Sequence, residues 1–161
     1  MQHQRKIWAL ATLVVAASLA GCIHKTAEYD LPKIGQHYGA VVPQEWRPST
    51  AFAISPSSIV RTCYSLSSRG VEFNVCMRDG EIVFLSTDDS AFVTSEGIRV
   101  GTKFAEMSGE IRGRLFDIPG WSKVVPLSGG WYAGFYDGPT TVGDPPEMPV
   151  RFFFKTRPYW K

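Results

Sequence analysis

Apolar and polar residues alternate along two neighbouring stretches, TCYSLSS and VEFNVC, and this period of two predicts a pair of β-strands. A two-residue turn at Arg69 and Gly70 would set Ser68 opposite Val71. This register places one set of apolar side chains on a common face: Tyr64, Leu66, Phe73 and Val75. Arg-Gly is not the favoured Asn-Gly pair, so a longer loop stays open, although a three-residue loop would oppose apolar to polar residues. The pattern predicts a β-hairpin with one buried face.

Further apolar stretches extend the predicted sheet. EIVFLST follows the turn pair Asp79-Gly80 and predicts a strand over 81–87. Later strands are predicted over 124–127, 130–135 and 150–154, with short extended pieces over 92–94 and 98–100. Between the last two strands, DGPTTVGDPPEMP is too rich in proline and glycine for regular structure. The pattern therefore predicts several short strands joined by turns.

One stretch repeats its apolar residues at helical spacing. The stripe, with spacings of 3, 4 and 4, consists of Phe104, Met107, Ile111 and Leu115. Thr102 can cap a helix over about 102–113, but Gly109 and Gly113 weaken it by about 1 kcal/mol each. Such a helix needs contacts with the sheet to form. We therefore expect an α+β domain, an antiparallel sheet packed by one short helix.

The segment IVFLSTDDSAFVTSEGIRVGTKFAEM carries a resemblance to small bacterial envelope lipoproteins. Its order of strand, Gly-Ile-x-Val-Gly and capped helix is similar to the helix-on-sheet unit of outer-membrane assembly lipoproteins and of proteinaceous β-lactamase inhibitors. It departs from that unit because three strands precede the helix here. The resemblance covers about 25 residues and implies a helix packed on a sheet.

The N-terminus is typical of an export signal. Arg5 and Lys6 precede an apolar run over 7–19, which is shorter than the about 20 residues that span a bilayer. The run ends in Leu19-Ala20-Gly21-Cys22, which resembles the lipobox of bacterial lipoproteins. An ordinary signal peptide with a nearby cysteine and an uncleaved amphipathic anchor are the alternatives. The pattern predicts a lipoprotein signal peptide over 1–21.

The lipobox resemblance implies diacylglycerol on the Cys22 sulfur, cleavage before Cys22 and an acyl chain on the new amine. Two or more acyl chains hold a protein firmly to a lipid bilayer. Ile23 is not the aspartate associated with inner-membrane retention, so an outer-membrane anchor facing the periplasm is favoured, with an inner-membrane anchor as the alternative. We expect a proline-containing tether over 22–50 and one domain over 51–161.

The other two cysteines are predicted to form a disulfide. The hairpin register sets Cys63 opposite Cys76 at a non-hydrogen-bonded pair, where the two backbones approach most closely. An exported protein meets an oxidising compartment, which favours the bond. Two free buried thiols are the alternative. The expected role is structural, because no CxxC spacing or basic neighbour lowers a thiol pKa.

Removal of the signal peptide changes the net charge of the chain. The chain has 17 basic and 15 acidic residues, and Arg5 and Lys6 belong to the signal, which leaves 15 of each. A neutral mature chain offers no basic field to nucleic acid, so no nucleic-acid partner is expected.

Candidate catalytic residues are scarce. The histidines are His3, His24 and His37, all before the predicted domain, which argues against Ser-His-Asp catalysis and histidine-ligated zinc there. Asp88 and Asp89 in STDDSAF could serve acid–base chemistry or calcium binding, but a solvated turn with Asx-type hydrogen bonds is favoured. We predict no enzyme activity, no metal and no cofactor.

Aromatic residues are concentrated near the C-terminus, in GGWYAGFYDG and RFFFKTRPYWK. Alternation puts Trp131 and Tyr132 on opposite faces, and Phe153 opposite Phe152 and Phe154. Tyrosine and tryptophan commonly anchor binding surfaces, so one set is a candidate partner site: Trp131, Tyr132, Tyr136, Tyr159 and Trp160. Internal packing is the alternative.

These features predict a lipid-anchored envelope protein that works by binding another envelope or periplasmic protein. Two roles are open within that class. One is an accessory in envelope assembly or maintenance, and the other is an inhibitor or immunity protein against a periplasmic hydrolase or toxin. A carboxylate-dependent wall-glycan hydrolase is the alternative from another class.

Overall fold

The structure of the chain is a computed structural model that describes residues 29–49, 53–55, 58–60, 62–135 and 147–157. Ten strands lie within these ranges. They are Arg47–Ser49 (β1), Ala53–Ser55 (β2), Ser58–Val60 (β3), Thr62–Ser68 (β4), Val71–Arg78 (β5), Glu81–Thr87 (β6), Phe116–Ile118 (β7), Ser122–Pro126 (β8), Tyr132–Gly134 (β9) and Phe152–Thr156 (β10).

Eight of these strands form one antiparallel sheet in the order β1-β4-β5-β6-β10-β9-β8-β7, and β2 pairs with β3 separately. The strand nearest the C-terminus, β10, lies inside the sheet. Its Phe154 is opposite Ser86 of β6 and Tyr132 of β9. The antiparallel sheet is as predicted, but the fold is mostly β, so the α+β prediction holds only in part.

The hairpin of β4 and β5 follows the predicted register. Ser68 is opposite Val71, and Cys63 is opposite Cys76. Arg69 and Gly70 have φ values of 53° and 78°, the left-handed pair that a two-residue hairpin turn requires. Cys63 and Cys76 are joined by a disulfide, with their Cα atoms 4.1 Å apart. The two-residue turn and the disulfide are both confirmed.

The single helix predicted over about 102–113 is wrong as one element. Phe104–Glu106 forms a 3₁₀ turn, and Gly109–Arg112 forms a separate four-residue helix, α1. The backbone between them is extended, with ψ of 154° at Met107 and 152° at Ser108. The Ser108 hydroxyl accepts a hydrogen bond from the Ile111 N–H at 3.3 Å and starts α1 there. In the described part of the chain no helix is long and apolar enough to span a bilayer.

Both faces of the sheet carry apolar clusters. The larger cluster includes Phe73, Val75, Leu85, Phe92, Val125, Trp131 and Phe153. The smaller, on the other face, contains the disulfide with Val83, Phe84, Ile118, Val124 and Phe154. The alternation predicted for both aromatic strands is therefore present, with Trp131 in the larger cluster and Tyr132 packed on the smaller.

The described part of the predicted tether, residues 29–49, packs on the larger cluster. The Ile82 N–H donates to the Gln36 carbonyl at 2.9 Å, and the Gly35 N–H donates to the Ile82 carbonyl at 2.8 Å. Trp46 is 8% exposed and contacts the ring of Tyr38. This part of the chain packs against one face of the sheet and does not extend away from it, because its aromatic residues bury apolar surface there. We call residues 29–46 the covering segment.

Candidate functional site

An open cleft lies where the covering segment, the 92–95 turn and the start of β9 meet the end of β10. Its volume is about 600 Å³. It is lined by Tyr29, Leu31, Pro32, Lys33, Ile34, Phe92, Val93, Thr94, Ser95, Ser128, Gly129, Gly130, Trp131, Lys155 and Thr156. A volume of this order is within the range of about 300–1,000 Å³ that ligand sites occupy. We call this feature the lysine cleft.

Lys155 reaches the cleft because of the alternation along β10. It lies on the face of Phe153, opposite Leu85 of β6, and it is half-buried. Its Nζ atom is 4.7 Å from the centroid of the Trp131 ring, a cation–π contact. Burial lowers the pKa of the Lys155 ammonium because water no longer fully solvates the charge.

The charged residues that line the cleft, Lys33 and Lys155, are both basic. Lys33 is exposed at its rim, and the described lining residues include no aspartate or glutamate. The described part of the chain shows no ion pair for Lys155. Glu96 lies beside the cleft, where its oxygens accept hydrogen bonds from the Ser128 N–H at 2.6 Å and the Ser95 hydroxyl at 3.0 Å. Lys155 and Lys33 can attract an anion to their part of the cleft, while the Glu96 carboxylate keeps a negative charge beside Ser95 and Ser128.

The walls of the cleft differ in polarity. On one side the ring of Phe92 is 4.8 Å from that of Trp131 and 5.2 Å from that of Tyr29. The Tyr29 hydroxyl accepts a hydrogen bond from the Val93 N–H at 3.3 Å, which fastens the covering segment to the 92–95 turn. The rest of the lining includes more polar groups, with Ser95, Ser128 and the glycine turn at 129–130. An amphipathic ligand would match these walls.

The opposite face of the sheet carries half-buried aromatic rings. Tyr132 stacks on Phe154 with a centroid distance of 5.0 Å, and Trp121 meets Phe154 edge-on at 4.7 Å. The ring of Phe152 lies over Gly134, where a Cβ atom would collide with it. These contacts show that Tyr132 takes part in internal packing.

The predicted partner site does not come together as one surface. Trp131 is 8% exposed and lies in the larger cluster, on the opposite face of the sheet from Tyr132. Tyr136, Tyr159 and Trp160 lie outside the described residues, as does the lipidation residue Cys22. Trp131 is the one predicted site residue that lines the cleft among those the structure describes.

The carboxylates of STDDSAF belong to a hydrogen-bonded turn. Asp89 accepts hydrogen bonds from the Glu72 N–H at 3.0 Å and the Ala91 N–H at 2.8 Å. These bonds lower the pKa of Asp89, the Glu72 bond most, because they stabilise its charged form. Asp88 is exposed. The predicted Asx-type turn is present.

No other cluster of catalytic type is found within the described ranges. His37, which the sequence placed in the tether, pairs with Glu81 across an isolated β-bridge, and its Nδ1 accepts a hydrogen bond from the Gly39 N–H at 3.1 Å. No group of three histidine, cysteine, aspartate or glutamate side chains is placed to hold a metal in the part of the chain described.

Sequence reasoning missed Lys155. The signal was in RFFFKT, where a period of two puts Lys155 with Phe153 and away from Phe154. A lysine on the apolar face of a strand is unusual enough to mark a candidate site. Its contact with Trp131 joins β10 to the residue just before β9, so the local pattern alone could not show the cleft.

Comparisons with known proteins identify no family for this chain. No family description matches the chain, and no curated protein matches it. The chain is similar to a crystal structure of the uncharacterized protein yfeY from Escherichia coli, with 16% identity and a TM-score of 0.46. The similarity covers 66% of this chain and 79% of that one.

Proposed function

We propose that this protein is an acylated envelope lipoprotein that faces the periplasm and binds another envelope protein at the lysine cleft, without catalysis. The lipobox at Leu19-Ala20-Gly21-Cys22 supports the anchor and the compartment. The disulfide between Cys63 and Cys76 supports export, because such bonds persist in oxidising compartments.

The observation that carries the binding role is the half-buried Lys155 ammonium over Trp131 in an open cleft. Removing an ammonium from water costs free energy unless a partner compensates it. Within the described residues that compensation is the Trp131 ring, without a carboxylate. A site that keeps a partly desolvated charge beside apolar walls is a candidate for recognition of an external group.

Site-directed photocrosslinking in intact cells tests this role. A photoreactive amino acid replaces Ser95, which is exposed and lines the cleft, or Ser90, which is exposed five residues earlier and does not line it. We expect a discrete crosslinked envelope protein from position 95 and none from position 90. Equal products from both positions, or none from 95, would contradict binding at the cleft.

The identity of the crosslinked protein separates the two roles. A hydrolase or toxin would make the protein an inhibitor, whereas an assembly or wall-associated component would make it an envelope accessory.

The anchor is tested by Cys22→Ser. This substitution removes the thiol that accepts diacylglycerol, so we expect the protein to lose the incorporation of a labelled fatty acid that the wild type shows, and to keep the mass of the uncleaved chain. Equal labelling of the wild type and the variant, or no labelling of the wild type, would contradict acylation at Cys22.

A further inference from the structure

We propose that the lysine cleft binds the C-terminal end of a peptide chain whose last side chain is apolar. This inference rests on the proposed binding function and names the group that is recognised. It follows from three properties of the cleft, namely its charge, its apolar wall and its polar wall.

The charge of the cleft favours a single carboxylate. Lys155 presents one ammonium on the wall, and Lys33 adds a second, exposed one at the rim. The Trp131 ring covers one side of the Lys155 ammonium at 4.7 Å, which leaves its other N–H donors for a ligand. The described lining contains no arginine, the residue that binds phosphate in a bidentate manner, so a carboxylate is the better match.

The apolar wall fits a hydrophobic side chain beside that carboxylate. Tyr29, Phe92 and Trp131 form a continuous group of rings on the side of the cleft next to Lys155. A C-terminal residue carries its carboxylate and its side chain on the same carbon atom, so both reach this corner together. The volume of about 600 Å³ accommodates a few residues and not a folded domain.

The polar wall favours a peptide over a fatty acid. Ser95, Ser128 and the Gly129–Gly130 turn also line the cleft, and the Ser95 hydroxyl and the Ser128 N–H are bonded to Glu96. A peptide backbone supplies N–H and carbonyl groups that can bond to the backbone of the Gly129–Gly130 turn, whereas an alkyl chain would desolvate that turn without compensation.

The test compares two probes that differ only in the terminal group. These are acetyl-Gly-Ser-Ala-Ala-Phe as the free acid and as the C-terminal amide, titrated into the wild-type protein by calorimetry. We expect the acid to bind at least about tenfold more tightly, because a charge-assisted bond to a half-buried ammonium is strong. Equal affinities, or no heat at millimolar peptide, would overturn the proposal without any variant being made.

Lys155→Met then assigns the difference to one residue. We expect this variant to bind acid and amide with equal affinity, close to that of the amide for the wild type. Lys123→Met is the matched control, since Lys123 pairs with Asp117 at 3.3 Å and does not line the cleft. A control that also loses the difference would overturn the assignment, and thermal melting of both variants verifies folding.

Decanoate is the competing probe. It carries a carboxylate on an apolar body without peptide groups, so we expect weaker binding than for the acid peptide. Tighter binding of decanoate that Lys155→Met abolishes would overturn the peptide proposal in favour of a lipid ligand. If the Ser95 crosslink persists while acid and amide bind alike, the binding function stands and the carboxylate inference fails.

Discussion

Gly70 and Gly80 occupy the same position in two successive hairpin turns, and both have φ of 78°. Alanine at either position meets a strained left-handed backbone, which costs about 1–2 kcal/mol. At Gly80 the added Cβ would also lie 2.8 Å from the Gly39 carbonyl oxygen, whereas nothing lies within 4 Å at Gly70. We expect Gly80→Ala to lower the free energy of unfolding clearly more than Gly70→Ala in urea titrations. Equal losses of unfolding free energy would show that the covering segment moves away from the added methyl group without lowering stability.

Asp89 gives a residue-level prediction about pH. Its pKa in the folded protein lies below the ordinary value of 3.8, chiefly because of the Glu72 N–H. A carboxylate with a lowered folded pKa stabilises the protein above its unfolded pKa and loses that contribution as pH falls through the folded pKa. We therefore expect Asp89→Asn to reduce stability at neutral pH, with a difference from the wild type that shrinks on acidification below 3.8.

Denaturant titrations across this pH range measure the effect. Asp88→Asn is the matched control, since Asp88 is the exposed neighbour in the same turn. A difference between wild type and Asp89→Asn that stays constant with pH would argue against the two N–H bonds as its source.

The same residue scale explains why the hairpin was predictable and the cleft was not. The register of Cys63 and Cys76 follows from alternation and a two-residue turn, which are local properties. Lys155 belongs to a candidate site because Trp131 contacts it and Tyr29 lines the same cleft, and these residues come together only in the folded chain. A local pattern can place a side chain on one face of a strand, but it cannot identify the residues that pack against that side chain.

Some secondary-structure elements were predictable from the sequence and others were not. β6 begins and ends where the sequence predicted, at Glu81 and Thr87, because strong apolar content and a tight turn define it. The predicted helix is divided because Ser108 caps a new helix and Met107 is extended. Gly109 and Gly113 weaken a helix, so the stripe of apolar residues reaches the core through irregular backbone instead.

The covering segment was predicted as a tether because its apolar residues show no period. They nonetheless pack, and Trp46 is 8% exposed. We expect Trp46→Ala to lower the free energy of unfolding by about 3–5 kcal/mol, the usual cost of deleting a large buried ring. Chemical denaturation measures this loss.

The matched control is Val41→Ala in the same segment, because Val41 is 78% exposed and its truncation should change stability little. A Trp46→Ala variant as stable as the control would show that the segment does not contribute to the core.

For the molecule as a whole, the position of β10 matters most. This strand lies between β6 and β9 and joins the two halves of the sheet. Strand order of this kind cannot be read from one sequence, since the pattern within a strand does not identify the strands beside it. The fold therefore depends on the last described strand of the chain.

Truncation tests this dependence. We expect removal of residues 152–161 to abolish the cooperative thermal transition, because both neighbouring strands lose their partner. Removal of 158–161 alone leaves β10 intact and should preserve that transition. A cooperative transition in the chain that lacks residues 152–161 would mean that the two halves of the sheet fold independently.

Tyr29, the first residue that the structure describes, lines the lysine cleft and follows Cys22 by only seven residues. A chain of that length spans at most about 25 Å when fully extended. With Cys22 acylated as proposed, Tyr29 cannot move farther than this from the bilayer surface. The protein would then search for its partner in two dimensions, within a thin layer next to the lipid headgroups. Chain ends that emerge from membrane-embedded proteins would meet the cleft far more often than those of proteins deep in the periplasm.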